Sequence, residues 1–299
     1  MNEAAAPKSA AFIRPSDHGT AASVLNETAA GAETGHVPIP FDVIAAWHAG
    51  SMAIALPPGY TEWAAPAPLR HAVACLWAQV SPDRGPREVL VLPDGCSDLI
   101  WEQGRGAYLA GPDTRPAPVT MTAGTVMVGI RFRPSAGGPA LGVPLSELRD
   151  QRVDLADVRP ADARRLPGTL DVGVAAALAL DVAGALVAGG PPDPAVTLAA
   201  RLLCRPDARA ETVAAEVGLS MRQLRRRCHA AAGYGPKTLH RVLRFRRFVS
   251  SIDADPQAGR DLAVIAARAG YADQAHLTRE CRTLSGLTPG ALLAARASA

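Results

Sequence analysis

The chain has 299 residues, of which 48% are apolar and 20% are charged. This is an ordinary globular composition with length enough for two domains, and it excludes collagen-like, fibrous and wholly disordered chains. The net charge of +3 conceals an asymmetry, because residues 1–194 carry 14 basic and 20 acidic side chains, whereas residues 195–299 carry 17 basic and 8 acidic ones. The positive excess predicts an anionic partner for the C-terminal third.

The cysteines and the apolar segments indicate a cytoplasmic location. The five cysteines contain no C-x-x-C pair, so they predict neither a disulfide framework nor a zinc site, and reduced thiols are expected; they are Cys75, Cys96, Cys204, Cys228 and Cys281. The N-terminus lacks the apolar segment of a signal peptide, and Asp181 interrupts the most apolar run, 172–188. We therefore expect neither export nor a membrane span.

Residues 1–50 are rich in Ala, Ser, Thr, Gly and Pro without a period, which predicts a flexible or weakly ordered segment with one short ordered piece at 41–47. Within 51–160 the texture changes to short apolar runs separated by Gly and Pro: HAVACLWAQV, EVLVLPDGCSDLIW, AYLAG, PVTM and TVMVGIRF. Such runs predict strands, and VLPDGC predicts a turn between two of them. We expect a β-rich barrel or sandwich.

Helical patterns begin with LSELRD, which predicts a short helix near 145–150. Residues 161–194 are expected to form a helix followed by a linker, because DVGVAAALALDVAGALVA leads to Gly189 and Gly190 and then to PPDP. From residue 195 to 299 the pattern is helical throughout. The predicted fold class is therefore multidomain α+β, with a β-rich N-terminal domain before an all-α domain.

The all-α domain contains one unit twice, since residues 213–236 match residues 265–289. Each copy predicts a helix, a turn opened by Gly218 or Gly270, and a second helix capped by Ser220 or Asp273, with Ser220 and Gln223 forming a capping box. This is the helix-turn-helix layout, in which the second helix enters the DNA major groove.

The second helix of the first copy has an apolar stripe of Met221, Leu224 and Cys228. Helical spacing places an opposite, basic stripe on the other face: Arg222, Arg225, Arg226 and His229. Although a charged helix face is ordinarily only solvated, the glycine turn and the duplication favour DNA contact here. Arginine suits this role because its fork pairs with guanine and with phosphate.

The second helix of the second copy has Leu277, Cys281 and Leu284 toward the core. The outward residues predicted to read bases are Gln274, His276 and Arg279, beside a small Ala275. The predicted phosphate contacts across both copies are Ser220, Arg227, Thr278 and Arg282.

A connector helix, PKTLHRVLRFRRFVSSI, lies between the copies and carries one apolar and one arginine stripe. Its roughly 16 residues span about 24 Å, enough to hold two recognition helices about one DNA turn, or 34 Å, apart. We assign Arg247 of this connector to DNA-backbone contact or to the connector surface.

Residues 196–296 resemble the DNA-binding domain of the AraC/XylS family of bacterial transcription regulators, most clearly in GYADQAHLTRECRTLSGLTPGAL. The resemblance implies two helix-turn-helix units on one connector, with base-facing Arg222, Arg225 and Arg226 in the first recognition helix and Gln274, His276 and Arg279 in the second. Members of this family often sense small molecules through an N-terminal β-barrel, which by analogy implies a sensory or regulatory role for residues 51–160. The N-terminal region is similar to an uncharacterised domain found before such DNA-binding domains, on LPDGCSDLIW, AGPDTRP, VGIRFRP and LGVPLSELRD.

These observations predict a sequence-specific, non-enzymatic regulator that binds double-stranded DNA and uses no cofactor or metal. RNA polymerase, a small-molecule effector and a second copy of the chain are further candidate partners. An anionic effector would be bound by Arg131 and Arg133, which alternate along one strand; the alternative is that they are solvated or pair with acids such as Asp94 and Asp98.

Two other functions stay open at this stage. Cys75 or Cys96 could sense oxidation or alkylation, although acids beside Cys96 would raise its thiol pKa. A small β-barrel enzyme fused to a helical domain is disfavoured, because the seven histidines include no H-x-H or H-x-x-x-H pair.

Overall fold

The computed structural model describes residues 11–12, 59–82, 85–254 and 261–297. The predicted flexibility of residues 1–50 and the ordered piece at 41–47 lie outside the described residues, except for the two residues of the first strand.

In the part of the chain that the structure describes, nine strands form two sheets. They are β1 Ala11–Phe12, β2 Gly59–Ala64, β3 Val73–Val80, β4 Arg87–Val91, β5 Ser97–Glu102, β6 Gly106–Ala110, β7 Ala117–Met121, β8 Val126–Phe132 and β9 Arg152–Asp154. The larger sheet is antiparallel with the order β2-β3-β8-β5-β6-β9, and the smaller has the order β1-β4-β7 with β1 parallel to β4. Apolar side chains from both sheets, including Trp77, Val89, Ile100 and Met121, share one core, so the sheets form a sandwich.

The β-rich prediction is confirmed, and each apolar run forms a strand as expected. The predicted turn at VLPDGC connects the two sheets, because β4 before it lies in the small sheet and β5 after it lies in the large one. Strands β1, β2 and β9 were not predicted.

One long apolar helix covers the other face of the large sheet. The helices of this half are α1 Gly137–Leu141, α2 Leu155–Val158, α3 Pro160–Ala163 and α4 Val172–Gly189, with 3-10 turns at Ala67–Leu69 and Leu145–Glu147. Helix α4 packs on β5 and β8 through a stripe at helical spacing, Ala175, Ala179, Val182 and Leu186, that is at most 2% exposed. By length and composition alone α4 could cross a membrane, but half of it is buried here and it is the core helix of this domain.

The C-terminal helices form a second core. They are α5 Pro194–Leu203, α6 Ala210–Glu216, α7 Met221–Ala232, α8 Pro236–Ala254, α9 Leu262–Ala269, α10 Gln274–Ser285 and α11 Pro289–Ala297. Buried residues of this core run from Val196 to Leu292, and Phe245 and Phe248 of α8 lie at its centre.

The two cores touch along one interface. Helix α1 and the 3-10 turn at 145–147 pack against α7, and Leu90 and Leu92 of the β-rich part pack on the helical core. Gly138 of α1 lies so close that a Cβ there would come within 2.0 Å of the Ala230 carbonyl oxygen of α7. The exact domain boundaries at 50, 160 and 194 stay a prediction.

Candidate nucleic-acid interface

The first unit consists of α6, a turn and α7. Gly218 lies in the turn and has a left-handed backbone conformation, with φ of 69°, in which residues other than glycine are strained. Ser220 then caps α7: its Oγ accepts the Gln223 backbone N–H at 3.3 Å, and the Gln223 side-chain oxygen accepts the Ser220 N–H at 2.9 Å. The capping box confirms the predicted start of the helix.

Helix α7 has one buried and one exposed face. Leu224 and Cys228 are fully buried and Met221 is half-buried. The predicted base-reading residues Arg222, Arg225 and Arg226 are all exposed. Within the described ranges, none of these three guanidinium groups has a carboxylate partner, so they form a concentrated positive surface.

The remaining basic residues of α7 are half-buried. Arg227 is half-buried and its Nη1 lies 3.4 Å from Asp193, the residue that caps α5. His229 is half-buried, and burial together with the charges of Arg225 and Arg149 lowers its pKa. The phosphate contact of Arg227 stays a prediction, and on DNA it would compete with Asp193.

The second unit repeats this geometry. Gly270 has φ of 89°, and Asp273 caps α10 by accepting the His276 backbone N–H at 2.6 Å. Leu277 and Cys281 are buried as predicted. Gln274 and Arg279 are exposed.

His276 and the predicted phosphate-contacting residues of α10 lie in different settings. The His276 ring is half-buried, its Nδ1 accepts the Ala272 N–H, and its edge packs against Tyr271 with centroids 5.3 Å apart. Thr278 donates its hydroxyl to the Gln274 carbonyl, whereas Arg282 is exposed. His276 therefore helps to shape the turn, which leaves its ring less free to reach a base than Gln274 or Arg279.

Arg247 of the connector helix α8 binds the second unit, which differs from the predicted contact with the DNA backbone or place on the connector surface. Its Nη1 donates to the Ala269 carbonyl at 2.8 Å, and Arg244 donates to the Gly270 carbonyl at 3.1 Å. Arg241 pairs with Glu280 on α10. These arginines hold the second unit against the connector, because free carbonyls at the C-terminal end of α9 accept hydrogen bonds from cations.

Arg131 lies inside the sandwich among acids. Its guanidinium lies 3.1 Å from Asp98, 3.2 Å from Glu62 and 3.6 Å from Asp94. Trp77 donates its indole N–H to Asp98 at 2.7 Å. This geometry matches the alternative in which the arginine pairs with acids, and it leaves Arg131 poorly placed to bind an anionic effector.

Arg133 is in another environment from Arg131. It follows the end of β8, and its Nε donates to the Arg70 carbonyl at 2.7 Å. The expectation that both arginines would hold one ligand together therefore has no support in the geometry.

Burial raises the thiol pKa of both predicted sensor candidates, Cys75 and Cys96, although Cys75 is only half-buried. Cys96, Cys228 and Cys281 are buried. Burial raises the pKa of Cys228 to about 12 and that of Cys281 to about 11, and it raises the pKa of Cys96 further, with help from Asp94. Because the thiolate is the reactive form, these environments disfavour cysteine-based sensing. Among the described residues, no three His, Cys, Asp or Glu side chains cluster as metal ligands would.

Sequence reasoning missed the acids that orient the recognition helices, Asp193 and Glu280. Each pairs with an arginine more than 30 positions away in the chain. No local pattern marks such a pair, and only the repeat itself hinted that the two units share a connector.

Two family models match the chain. A helix-turn-helix domain matches residues 213–295, and a domain of unknown function (DUF6597) matches residues 61–154. No curated protein matches.

Two solved structures of ToxT from Vibrio cholerae are similar in part. An apo variant has a TM-score of 0.39 and 10% identity over 73% of this chain and 96% of its own. The wild-type protein bound to an unsaturated fatty acid has a TM-score of 0.35 and 9% identity over 70% and 94%.

The duplicated capped units, their connector and the matched residues agree on one assignment. Residues 213–295 form an AraC-type helix-turn-helix domain, the DNA-binding domain of transcription regulators, and residues 61–154 match a domain of unknown function.

Proposed function

We propose that this regulator reads specific DNA by placing α7 and α10 in successive major grooves, with half-sites about 10 bp apart. The observation that carries the proposal is the exposed trio Arg222, Arg225 and Arg226 on a capped helix whose opposite face is buried. Such a helix presents forked donors at a fixed angle, which is what recognition of guanine requires.

The connector supports simultaneous binding by both helices. Helix α8 has 19 residues and is therefore about 28 Å long at 1.5 Å per residue, close to one DNA turn of about 34 Å. The hydrogen bonds from Arg241, Arg244 and Arg247 fix the second unit on α8. A rigid connector lowers the entropy cost of engaging the second groove.

The two helices are proposed to have unequal roles. Three arginines on α7 favour guanine-containing sequences, whereas α10 offers Gln274 and Arg279 beside a small Ala275 and a half-buried His276. The second half-site is therefore the more permissive one. Ser220, Thr278 and Arg282 are proposed to contact phosphates, with Arg227 joining them once its contact with Asp193 opens.

The β-rich domain is proposed to regulate this reading in the cytoplasm, through a small-molecule effector, RNA polymerase or a second copy. It contacts α7 directly through α1 and the 3-10 turn at 145–147. Its segment, residues 1–194, is net negative by six charges, so it is unsuited to binding DNA phosphate itself.

Selection on random duplex DNA tests the proposal. The full chain should select two half-sites, and Arg226→Ala should weaken binding by about 1–3 kcal/mol while relaxing specificity in one half-site only. Arg164→Ala, which removes an exposed arginine of the β-rich domain, is the matched control and should change neither property. A single undivided site, or unchanged specificity in Arg226→Ala, contradicts the proposal.

A further inference from the structure

A cavity of about 70 Å³ lies between the two domains. The β-rich domain contributes Arg133 and Cys96 to its wall, and the helical domain contributes Arg201 of α5, Arg246 of α8 and Cys204. The volume exceeds that of one water molecule several times, so the cavity has room for a small polar group. It is separate from the predicted DNA-reading faces of α7 and α10.

The three arginines of this cavity lack acidic partners among the described residues. Arg133 and Arg246 donate to backbone carbonyls, those of Arg70 and Asp94, at 2.7 and 3.2 Å. The carboxylate of Asp94 accepts the Cys96 N–H and lies 3.6 Å from Arg131, so its ion pair is with an arginine outside the cavity. Burial raises the pKa of both cavity thiols, so they stay neutral and supply no compensating charge.

The contrast with Arg131 is informative. Arg131 is half-buried and lies within 4 Å of three carboxylates of its own chain, as an arginine partly removed from water ordinarily does. In the described part of the chain no carboxylate forms an ion pair with a cavity arginine, and burial followed by the charges of Arg201 and Arg246 lowers the pKa of Arg133. Positive charges held together at a partly dry surface favour binding of an anion.

We propose that this interdomain cavity binds a small anion through one carboxylate or phosphate group. Arg133 contacts the anion from the β-rich domain, and Arg201 and Arg246 contact it from the helical domain. Because Arg246 lies on the connector helix α8, the bound anion joins the β-rich domain to the element that carries both recognition helices. This site deepens the proposed regulatory function and rests on it for its biological role, whereas the binding itself is independent of DNA.

Thermal unfolding of the full chain without DNA tests the binding. Inorganic phosphate and acetate are titrated separately at constant ionic strength with chloride as the balancing ion, which distinguishes the two anion chemistries. We expect a saturable rise in melting temperature with at least one of them. In Arg201→Gln the apparent affinity should fall by roughly tenfold or more, the loss typical of one hydrogen bond between charged groups.

Arg201→Gln is the first variant because Arg201 is exposed and makes no hydrogen bond or ion pair in the described structure, so its replacement leaves folding intact. Arg133→Gln is the second, and it should weaken binding in the same way. Arg164→Gln removes an equal charge outside the cavity and should bind like the wild type. An absence of saturable stabilisation by either anion overturns the proposal, as does equal weakening in all three variants.

A DNA titration separates this proposal from the proposed function. If the saturating anion changes the DNA affinity of the wild type but not of Arg201→Gln, both stand. If the anion binds as described while the full chain binds no DNA, the cavity stands and the DNA-reading proposal fails. If Arg201→Gln weakens DNA binding and neither anion stabilises the wild type, the cavity arginines contact DNA phosphate and the anion proposal fails.

Discussion

Arginine has at least three roles in this chain, and its neighbours decide which. Arg226 is exposed and has no acidic partner among the described residues, Arg131 is neutralised by carboxylates, and Arg247 donates a hydrogen bond to a carbonyl at a helix end. The sequence shows identical residue types in all three cases. Only the fold reveals whether a guanidinium group is available to a partner or is already committed.

Arg247 should contribute to stability and only indirectly to DNA recognition. Its replacement by Met keeps the apolar stem but removes the hydrogen bond to the Ala269 carbonyl, so the free energy of unfolding should fall by about 1–2 kcal/mol. Urea unfolding measures the loss. Arg268→Met, which changes an exposed arginine of the same helix end, should cost less than half as much. Equal losses would show that the hydrogen bond contributes nothing.

His240 should make stability depend on pH. Its ring N–H donates to the Leu203 carbonyl at 2.8 Å, and burial, reinforced by Arg244 and Arg247, lowers its pKa below the ordinary value of 6.5. The unfolded chain then takes up the proton first, so stability is complete above pH 6.5 and falls as pH decreases from there to the lowered pKa.

The measurement is urea unfolding between pH 7.5 and 5. In His240→Asn, which keeps an N–H donor but does not titrate, the loss of stability toward acid should be smaller than in the wild type. His229, whose pKa is also lowered, contributes to the loss of stability that remains in this variant. Identical pH profiles for variant and wild type would contradict the role of His240.

At the scale of elements, caps and apolar stripes were predictable because they are local. Ser220 with Gln223, and Asp273 before α10, lie within one turn of the helices that they start. Strand β2 escaped prediction because all six of its residues are half-buried, so it shows no alternation. Strand β9, Arg152–Asp154, is too short to display any period.

The candidate site was predictable to the same extent. The exposed face of α7 followed from helical spacing, since Leu224 and Cys228 fixed the opposite side. The ion pairs of Arg241 with Glu280 and of Arg227 with Asp193 were not predictable, because the paired residues are far apart in the chain and meet only when the helices pack. The same holds for the interdomain cavity, whose walls come from distant segments.

A side chain at Gly138 should weaken the close contact between α1 and α7 and lower the stability of the protein. In Gly138→Ala the new Cβ would lie 2.0 Å from the Ala230 carbonyl oxygen, so α1 must move away from α7, at a cost of about 1–3 kcal/mol. Hydrogen exchange should accelerate in the last turn of α7. Gly184→Ala in α4, where nothing lies within 4 Å of the added Cβ, should be neutral or stabilising. Unchanged exchange in Gly138→Ala would mean that the contact is loose in solution.

At the scale of the whole molecule, the sign of the net charge changes at the same place in the chain as the hydrophobic core does. The helical core spans Val196 to Leu292, and residues 195–299 carry a net charge of +9, whereas the preceding residues carry −6. Electrostatic attraction to DNA should therefore belong to the C-terminal part, while the N-terminal part opposes it. Each arginine or lysine that neutralises a phosphate adds about 0.9 to the slope of log affinity against log salt.

Residues 195–299 alone should bind duplex DNA with an affinity that falls steeply as salt increases. Their slope should equal that of the full chain or exceed it by about 0.9, because the fragment lacks Asp193 and so frees Arg227 for one more phosphate. Fluorescence anisotropy on one labelled duplex between low and moderate salt measures both slopes.

Asp193→Asn in the full chain is the matched test, since Asn still caps α5 but no longer attracts Arg227, and it should shift the slope in the same direction as the truncation. If the fragment binds DNA with an affinity that does not depend on salt, phosphate contact is not the source of its affinity. If the slope of log affinity against log salt is steeper in the fragment but not in Asp193→Asn, the difference in slope comes from the charge of the whole N-terminal half.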